Sequence, residues 1–249
     1  MRKYGLIGYP LCHSFSKRYF TEKFYNEGIT GCSYENFPIK SIDQFQGLIN
    51  SVPELEGLNV TIPYKSSVIS YLNGIDREAS EIGAVNVLKL KRRGNRVDVF
   101  GYNSDITGIK DSIGQVLKDI RQAMVLGTGG SARSVCYVLE NAGIKIIRVS
   151  RTRSVEAIAY SDITSYLMQM TGLIVNTTPL GMFPDTASKP DICYDCLEKN
   201  HIMFDLVYNP EITAFLKEGQ ERGCTVITGL KMLRSQAERS WEIWNSADY

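Results

Sequence analysis

The stretch Met124-Val125-Leu126-Gly127-Thr128-Gly129-Gly130-Ser131-Ala132-Arg133 is the strongest indicator of how this chain folds. A short apolar strand leads directly into Gly-x-Gly-x-x-Ala, and the residues that follow are compatible with a helix. In such a turn Gly127 permits the tight bend, Gly129 lets the backbone approach a pyrophosphate, and Ala132 keeps helix and strand close. Glycine-rich turns of this kind also occur without a ligand. In its strand-to-helix context, however, the pattern predicts a Rossmann dinucleotide-binding domain.

The end of the next strand indicates which dinucleotide binds. About twenty residues beyond the glycine motif, NAD-binding sites carry an acidic residue for the ribose hydroxyls. This chain instead has Ser150-Arg151-Thr152-Arg153. The planar guanidinium of Arg151 can bind a 2'-phosphate through two parallel hydrogen bonds, with Ser150 and Thr152 as further donors. The sequence therefore predicts NADP rather than NAD.

Strands and helices alternate regularly around this motif. We predict apolar strands at residues 122–126, 145–150, 172–177, 201–207 and 224–228, with helical segments between most of them. Because parallel strands need crossover connections, this rhythm predicts a doubly wound parallel sheet covered on both faces. Beyond the last strand, one stripe of an amphipathic helix carries Leu233, Ala237, Trp241 and Trp244.

The first hundred or so residues follow a different pattern. Residues 2–9 and 57–62 are predicted to be short strands, each followed by a proline, and residues 84–90 and 96–100 form a predicted hairpin. This half should therefore be a separate α/β unit. Polar side chains occupy its turns: Ser14, Ser16, Asn59, Thr61, Lys65, Asn86, Asn103 and Asp105. Taken singly, each is adequately explained as a turn, cap or surface residue, but strand ends are where α/β proteins build sites.

Composition limits the possible partners. The chain has 249 residues, with 28 Lys and Arg against 27 Asp and Glu, so no overall charge draws it to nucleic acid or an anionic membrane. We find neither a long apolar run nor a signal peptide, which predicts a soluble cytoplasmic protein.

The six cysteines are expected to be reduced. Cys193 and Cys196 have no second ligand pair at metal spacing, so we expect two packed thiols and no metal site.

Several motifs resemble those of the shikimate dehydrogenases. Residues 8–16 (GYPLCHSFS) are similar to the family's carboxylate-binding motif, and residues 59–65 (NVTIPYK) to its catalytic-lysine motif. Further matches recur in the family's order at residues 83–86, 101–105, 205–210 and 229–233, with Gln236. The resemblance spans almost the whole chain. It implies two domains: residues 1–103 with 231–249 for substrate binding and catalysis, and residues 104–230 for NADP.

The resemblance also implies residue roles. Ser14 and Ser16 would hold the substrate carboxylate, and Lys65 and Asp105 would be the catalytic pair. The side chains implied for the ring hydroxyls are Asn59, Thr61, Asn86, Tyr208 and Gln236. Leu206 and Gly229 would lie near the nicotinamide. The implied activity is the reversible reduction of 3-dehydroshikimate to shikimate by NADPH, on the route to chorismate and the aromatic amino acids, in a monomer or homodimer.

The chain departs from the family pattern on the cofactor side. Ser150 replaces the usual asparagine, a basic residue expected a few positions later is absent, and Arg153 is a candidate substitute. The segment 154–171 is short for a full crossover helix with its following strand and helix.

Two alternative functions stay open: a quinate/shikimate dehydrogenase that tolerates a tertiary ring hydroxyl, and a regulatory protein that senses NADP without chemistry. Lys65 and Asp105 together favour an enzyme.

Overall fold

The computed structural model describes residues 1–11, 15–94 and 96–247, and the chain divides into two units. The first contains Met1–Ser104 and Ala237–Tyr249, and the second contains Asp105–Gln236. Within the described residues each unit is built on its own six-stranded sheet with helices. The α/β fold class predicted from the sequence is confirmed.

The first unit contains a mixed sheet. Its strands are β1 (Arg2–Gly8), β2 (Cys32–Pro38), β3 (Leu55–Val60), β4 (Gly74–Ile75), β5 (Val87–Arg93) and β6 (Arg96–Tyr102), in the order β2-β1-β3-β5-β6-β4. Its helices are α1 (Phe15–Asn26), α2 (Gln44–Ser51) and α3 (Arg77–Ile82). β2, β1 and β3 are parallel, and β5 pairs antiparallel with both β3 and β6. The predicted β5–β6 hairpin is present, and Gly94 follows β5 with a φ of +61°.

The sequence did not predict β2, although it pairs with β1 over its whole length. Its residues, Cys-Ser-Tyr-Glu-Asn-Phe-Pro, include no β-branched side chain and several types that are depleted in strands. The segment is therefore a strand because it pairs with β1, although its own β propensity is low.

The second unit has the doubly wound parallel sheet that the sequence predicts. Its strands are β7 (Gln122–Leu126), β8 (Lys145–Ser150), β9 (Ile158–Ala159), β10 (Leu173–Asn176), β11 (Ile202–Asp205) and β12 (Thr225–Ile227), in the order β12-β11-β10-β7-β8-β9. Its helices are α4 (Asp105–Ile113), α5 (Gly130–Asn141), α6 (Ser165–Gln169) and α7 (Ala214–Glu221). The strand order reverses between β7 and β10, which is the switch point where Rossmann folds bind dinucleotides.

The connection from β8 to β9 is abbreviated, as the short segment 154–171 suggested. Residues 151–157, all of which are described, contain no helix. A tight loop replaces it, in which the Ser154 hydroxyl accepts hydrogen bonds from the backbone N–H groups of Glu156 and Ala157.

The last helix, α8 (Gly229–Asn245), begins in the second unit and ends in the first. Its C-terminal half packs on the sheet of the first unit, where Trp244 stacks on Tyr4 and donates a hydrogen bond from Nε1 to the Leu88 carbonyl oxygen at 3.0 Å. This face of the sheet also carries α1, with Phe20 and Phe24 in the same cluster. The opposite face packs against α2 and the segments around it through Ile7, Leu58 and Val60 and their neighbours.

The predicted pair of reduced thiols at Cys193 and Cys196 is wrong. The two residues form a disulfide, with their Cα atoms 5.4 Å apart. A 3₁₀ turn over Tyr194–Cys196 explains this, because side chains three residues apart are eclipsed in that geometry. Cys32, Cys136 and Cys224 are free.

Two features are absent from residues 1–11, 15–94 and 96–247. No helix there has the length and apolar character that crossing a bilayer requires. Nor do those residues contain a group of three or more His, Cys, Asp or Glu side chains placed to hold a metal ion.

Candidate active site

The glycine-rich turn connects β7 to α5. Gly127 has a φ of +112°, and a Cβ there would lie 2.6 Å from Thr177 Oγ1, so the position requires glycine. Ala132 is almost fully buried at the base of the helix. Gly129 precedes α5, and a Cβ on it would meet nothing within 4 Å. The space outside the helix N-terminus is therefore open to an anion, and the turn fits a dinucleotide pyrophosphate.

The end of β8 presents the residues expected to recognise a 2'-phosphate. Arg151 and Thr152 are exposed, and the Ser150 hydroxyl donates a hydrogen bond to the Thr152 carbonyl oxygen. Arg151 lies close enough to Tyr160 to oppose the rise in the pKa of that phenol, which burial and then Asp191 cause. This strand end fits the extra phosphate of NADP.

Arg153, the candidate substitute for the missing basic residue, is paired with Asp162. Its Nη2 and Nε atoms lie 2.9 Å and 3.1 Å from the two carboxylate oxygens. A hydrogen bond from the Ala159 N–H and then the Arg153 guanidinium lower the pKa of Asp162. Arg153 is thus engaged by a carboxylate, and Arg151 is better placed to receive a phosphate.

The carboxyl ends of β10 and β11 are joined by the buried carboxyl group of Asp205, which the motif at residues 205–210 includes but to which the sequence assigned no role. Asp205 is fully buried and accepts hydrogen bonds from Thr213 Oγ1 at 2.6 Å, from the Val207 N–H at 2.9 Å and from Asn176 Nδ2 at 3.0 Å. Burial raises the pKa of Asp205 to about 6, and these three donors oppose the rise. A carboxylate at the end of the apolar run Ile202–Asp205 was the available signal.

The segment after Asp205 contains two residues of the predicted site, Leu206 and Tyr208, and contacts a third, Gly229. A Cβ on Gly229 would lie 2.5 Å from the Leu206 carbonyl oxygen, so the structure brings Leu206 and Gly229 together and allows only glycine at position 229. Tyr208 follows and is half-buried. Asp205 anchors this segment through the Val207 N–H.

In the first unit, the predicted substrate residues Asn59 and Asn86 are buried and lie next to each other. The Asn59 side chain accepts a hydrogen bond from the Tyr34 hydroxyl at 2.8 Å and donates to the Asn86 carbonyl oxygen at 3.3 Å and to Ser240 Oγ at 2.9 Å. Asn86 Oδ1 accepts a hydrogen bond from the Ser104 N–H at 2.7 Å. Tyr34 and Ser240 were also missed, since neither stands in a recognisable motif.

Thr61 and Lys65 lie in the turn that follows β3. The Thr61 N–H donates to the Ile7 carbonyl oxygen at 2.9 Å, and the space that a Cβ on Gly8 would need is filled by the Thr61 methyl group. The Lys65 carbonyl oxygen accepts a hydrogen bond from the Val85 N–H at 2.7 Å, and the residue is half-buried. The backbone of this turn is therefore tied to β1 and to the segment before β5.

The remaining predicted residues are distributed between the two units. Ser16 lies in the first turn of α1, whereas Ser14 lies outside the described residues. Asp105 is the buried first residue of α4 and belongs to the second unit, as does Gln236, whose Nε2 donates to the Leu233 carbonyl oxygen. Lys65 belongs to the first unit. The pairing of Lys65 with Asp105 stays a prediction.

The fold and these side chains define the class of protein: a two-unit α/β protein with a Rossmann dinucleotide-binding unit. Comparison with known proteins narrows it. The sequence profile of the shikimate dehydrogenase substrate binding domain matches residues 6–88. Shikimate dehydrogenase (NADP(+)) of Methanococcus aeolicus is 35% identical over 96% of this chain and 90% of its own length. The Clostridium beijerinckii enzyme of the same name is 36% identical over 98% of this chain and 92% of its own.

A solved structure of a protein of this family is also similar to this chain. Shikimate 5-dehydrogenase from Thermus thermophilus, in complex with NADP(H) and shikimate, superposes with a TM-score of 0.83 at 28% identity, covering 98% of this chain and 94% of that one. This chain belongs to the shikimate dehydrogenase family.

Proposed function

We propose that this chain is an NADP-dependent shikimate dehydrogenase that catalyses the reversible reduction of 3-dehydroshikimate to shikimate, a step towards chorismate and the aromatic amino acids. The observation that carries the proposal is the extent of the similarity to NADP(+)-dependent shikimate dehydrogenases, which covers 96% and 98% of the chain in two relatives. It therefore includes both the substrate-binding motifs and the nucleotide fold.

The first unit would bind the substrate and the second unit NADP. The match of the substrate binding domain profile to residues 6–88 supports the first assignment. The open helix N-terminus at Gly129 and the exposed Arg151 support the second. Bound NADPH supplies the hydride for the ring ketone. The residues that would hold it are Gly127, Thr128, Gly129, Gly130, Ser131, Ala132, Ser150, Arg151, Thr152, Leu206 and Gly229.

Side chains of this protein would carry out the proton transfer that accompanies hydride transfer. When a ketone is reduced, its oxygen develops negative charge and needs a proton. We assign the donation of that proton to the Lys65 ammonium group, and in the reverse direction the Lys65 amine takes it back. Asp105 would orient Lys65 or share in the proton transfer.

Substrate recognition follows from its chemistry. A carboxylate needs donors, which the hydroxyls of Ser14 and Ser16 provide, and each buried ring hydroxyl must find a polar partner. The proposed partners are Asn59, Thr61, Asn86, Tyr208 and Gln236. Asn59 and Asn86 are already held in place by hydrogen bonds within the first unit, which supports a pre-formed site.

Mixing the purified protein with shikimate and NADP tests the proposal directly. We expect the absorbance of NADPH to appear, with NAD a poorer cofactor. No NADPH formation would refute the activity, while binding of NADP without turnover of any cyclic hydroxy acid would favour the NADP-sensing alternative. Turnover of quinate at a rate comparable to that of shikimate would assign the chain to the quinate/shikimate type.

A cytoplasmic location and a monomeric or homodimeric state also stay proposals. Cell fractionation tests the location. Light scattering of the purified protein tests the oligomeric state.

A further inference from the structure

A chain of buried polar side chains runs through the first unit. The Tyr34 hydroxyl donates to Asn59 Oδ1 at 2.8 Å, Asn59 Nδ2 donates to Ser240 Oγ at 2.9 Å, and Ser240 Oγ lies 3.2 Å from Ser104 Oγ. These four residues come from β2, β3, α8 and the segment after β6. Each is at most 6% exposed. We call this set the buried polar chain.

Both ends of the buried polar chain reach residues assigned to substrate binding. At one end the Tyr34 hydroxyl holds Asn59, a residue assigned to the ring hydroxyls, through its hydrogen bond to Asn59 Oδ1. At the other end the Ser104 N–H donates to Asn86 Oδ1 at 2.7 Å, and Asn86 Nδ2 donates to Ser104 Oγ at 3.0 Å. Ser104 also immediately precedes Asp105 in the sequence.

Asn59 stands at the centre of the buried polar chain with its amide already engaged. Its oxygen accepts from Tyr34, and its nitrogen donates to the Asn86 carbonyl oxygen and to Ser240. An amide nitrogen has two hydrogens, so both are used within the protein. These hydrogen bonds fix the orientation of the Asn59 amide, whose oxygen retains a second lone pair for a substrate hydroxyl.

We propose that Tyr34 and Ser240 are positioning residues for substrate binding. Tyr34 fixes the Asn59 amide, and Ser240 fixes Asn59 and Ser104 and, through Ser104, the Asn86 side-chain amide at the ring hydroxyls. This proposal rests on the proposed function. Buried hydrogen-bond networks of this kind hold binding groups in one geometry, because an unpaired member is costly.

Tyr34→Phe isolates the hydroxyl from the packing of the ring. The Tyr34 ring stacks on Phe20 with centroids 4.6 Å apart, and phenylalanine retains that contact. Tyr4→Phe is the matched control, since Tyr4 is fully buried in the same aromatic cluster and stacks on Trp244 at 4.8 Å. The Tyr4 hydroxyl hydrogen bonds to Glu56 instead of a substrate-binding residue.

The experiment compares four proteins: the wild type, Tyr34→Phe, Tyr4→Phe and Ser240→Ala. For each, steady-state kinetics give kcat and KM for shikimate, calorimetry gives the affinity for shikimate, and fluorescence gives the affinity for NADP. We expect Tyr34→Phe and Ser240→Ala to raise KM and Kd for shikimate about two- to tenfold, the range expected for one buried hydrogen bond. Values of kcat should change less, and NADP affinity and all parameters of Tyr4→Phe should stay near wild type.

Different failures have different meanings. If the wild type does not oxidise shikimate, the proposed function is refuted and this proposal falls with it. If the wild type is active but Tyr34→Phe and Tyr4→Phe have equal effects, the Tyr34 hydroxyl has only a structural role. Loss of kcat at unchanged KM, or an equal loss of NADP affinity, would also overturn the positioning role. Should one of the two variants fail to fold, the other still decides.

Discussion

Lys65 has the most demanding role assigned to any single residue. It would supply the proton to the reduced ketone, and a positioned acid of this kind contributes typically about 10²- to 10⁴-fold to a rate. Its backbone is held by the Val85 N–H, so removal of the side chain beyond Cβ should leave the turn intact.

We therefore predict that Lys65→Ala lowers kcat about 10²- to 10⁴-fold while shikimate still binds. Steady-state kinetics measure the first effect, and calorimetry measures the second. Lys118→Ala is the control, because Lys118 is exposed on a short 3₁₀ turn and belongs to none of the motifs. Retained turnover in Lys65→Ala would remove the lysine from the mechanism.

Asp205 is a residue whose charge costs stability. Burial raises its pKa from 3.8 to about 6 in the folded protein. The folded state thus binds the proton more tightly than the unfolded chain does. Below about pH 4, the pKa of an aspartate in the unfolded chain, the protonated Asp205 carboxyl contributes its full stabilisation. That stabilisation is lost as the pH rises through about 6, the pKa of Asp205 in the folded protein.

This linkage predicts the pH dependence of Asp205→Asn. Relative to the wild type, the variant should gain about 3 kcal/mol of unfolding free energy between pH about 4 and pH about 7, since one pKa unit corresponds to about 1.4 kcal/mol. Urea unfolding over this pH range measures the gain. Asp119→Asn, at an exposed position, should parallel the wild type. A constant difference between Asp205→Asn and the wild type would mean that Asp205 does not titrate in this range.

Among the elements, the contact between β3 and α8 shows why a glycine stands in a strand. A Cβ on Gly57 would lie 2.4 Å from both Cδ1 and Nε1 of Trp244. The indole fills that space and donates its hydrogen bond to the Leu88 carbonyl oxygen. The C-terminal helix can therefore lie close to the sheet only because position 57 has no side chain.

Gly57→Ala should consequently lower the unfolding free energy by about 1–3 kcal/mol, as overpacking of a tight core does. Gly47→Ala provides the opposite control. Gly47 lies in α2, and a Cβ added there would meet nothing within 4 Å, so alanine should stabilise the helix by about 0.5–1 kcal/mol. Chemical denaturation compares the two variants. Equal stability of Gly57→Ala and the wild type would show that Trp244 can move aside.

At the scale of the whole molecule, the two units contain different residues of the proposed site. The glycine turn and Arg151 belong to the second unit, whereas Asn59, Thr61 and Lys65 belong to the first. Ligands that bind these groups should slow local opening of the backbone around them.

Hydrogen exchange with mass spectrometry tests this division. NADP should slow exchange in peptides covering residues 127–133 and 150–153, and shikimate in peptides covering residues 57–65. Each ligand serves as the control for the other. Protection of the glycine turn by shikimate alone, without protection of residues 57–65, would contradict the assignment of substrate binding to the first unit.

The Rossmann unit was predictable from the sequence because its signals are local. The predicted strands at 122–126 and 145–150 have the same bounds as β7 and β8, and the glycine turn stands between β7 and α5 as expected. Strand propensity, a turn that requires glycine and a helix that follows are all set by neighbouring residues. The polar motifs likewise predicted which residues of the first unit carry the candidate chemistry.

How those residues are held became evident only in the folded chain. Asn59 and Ser240 are separated by 181 positions in the sequence, and Ser104 and Ser240 by 136. β2, which carries Tyr34, becomes a strand through its pairing with β1. Residue types and their propensities are short-range properties, so they were sufficient to predict most of the elements and the candidate chemistry. Hydrogen bonds between distant residues depend on sheet register and helix packing, so the buried polar chain and the Asp205 site arise from the tertiary fold.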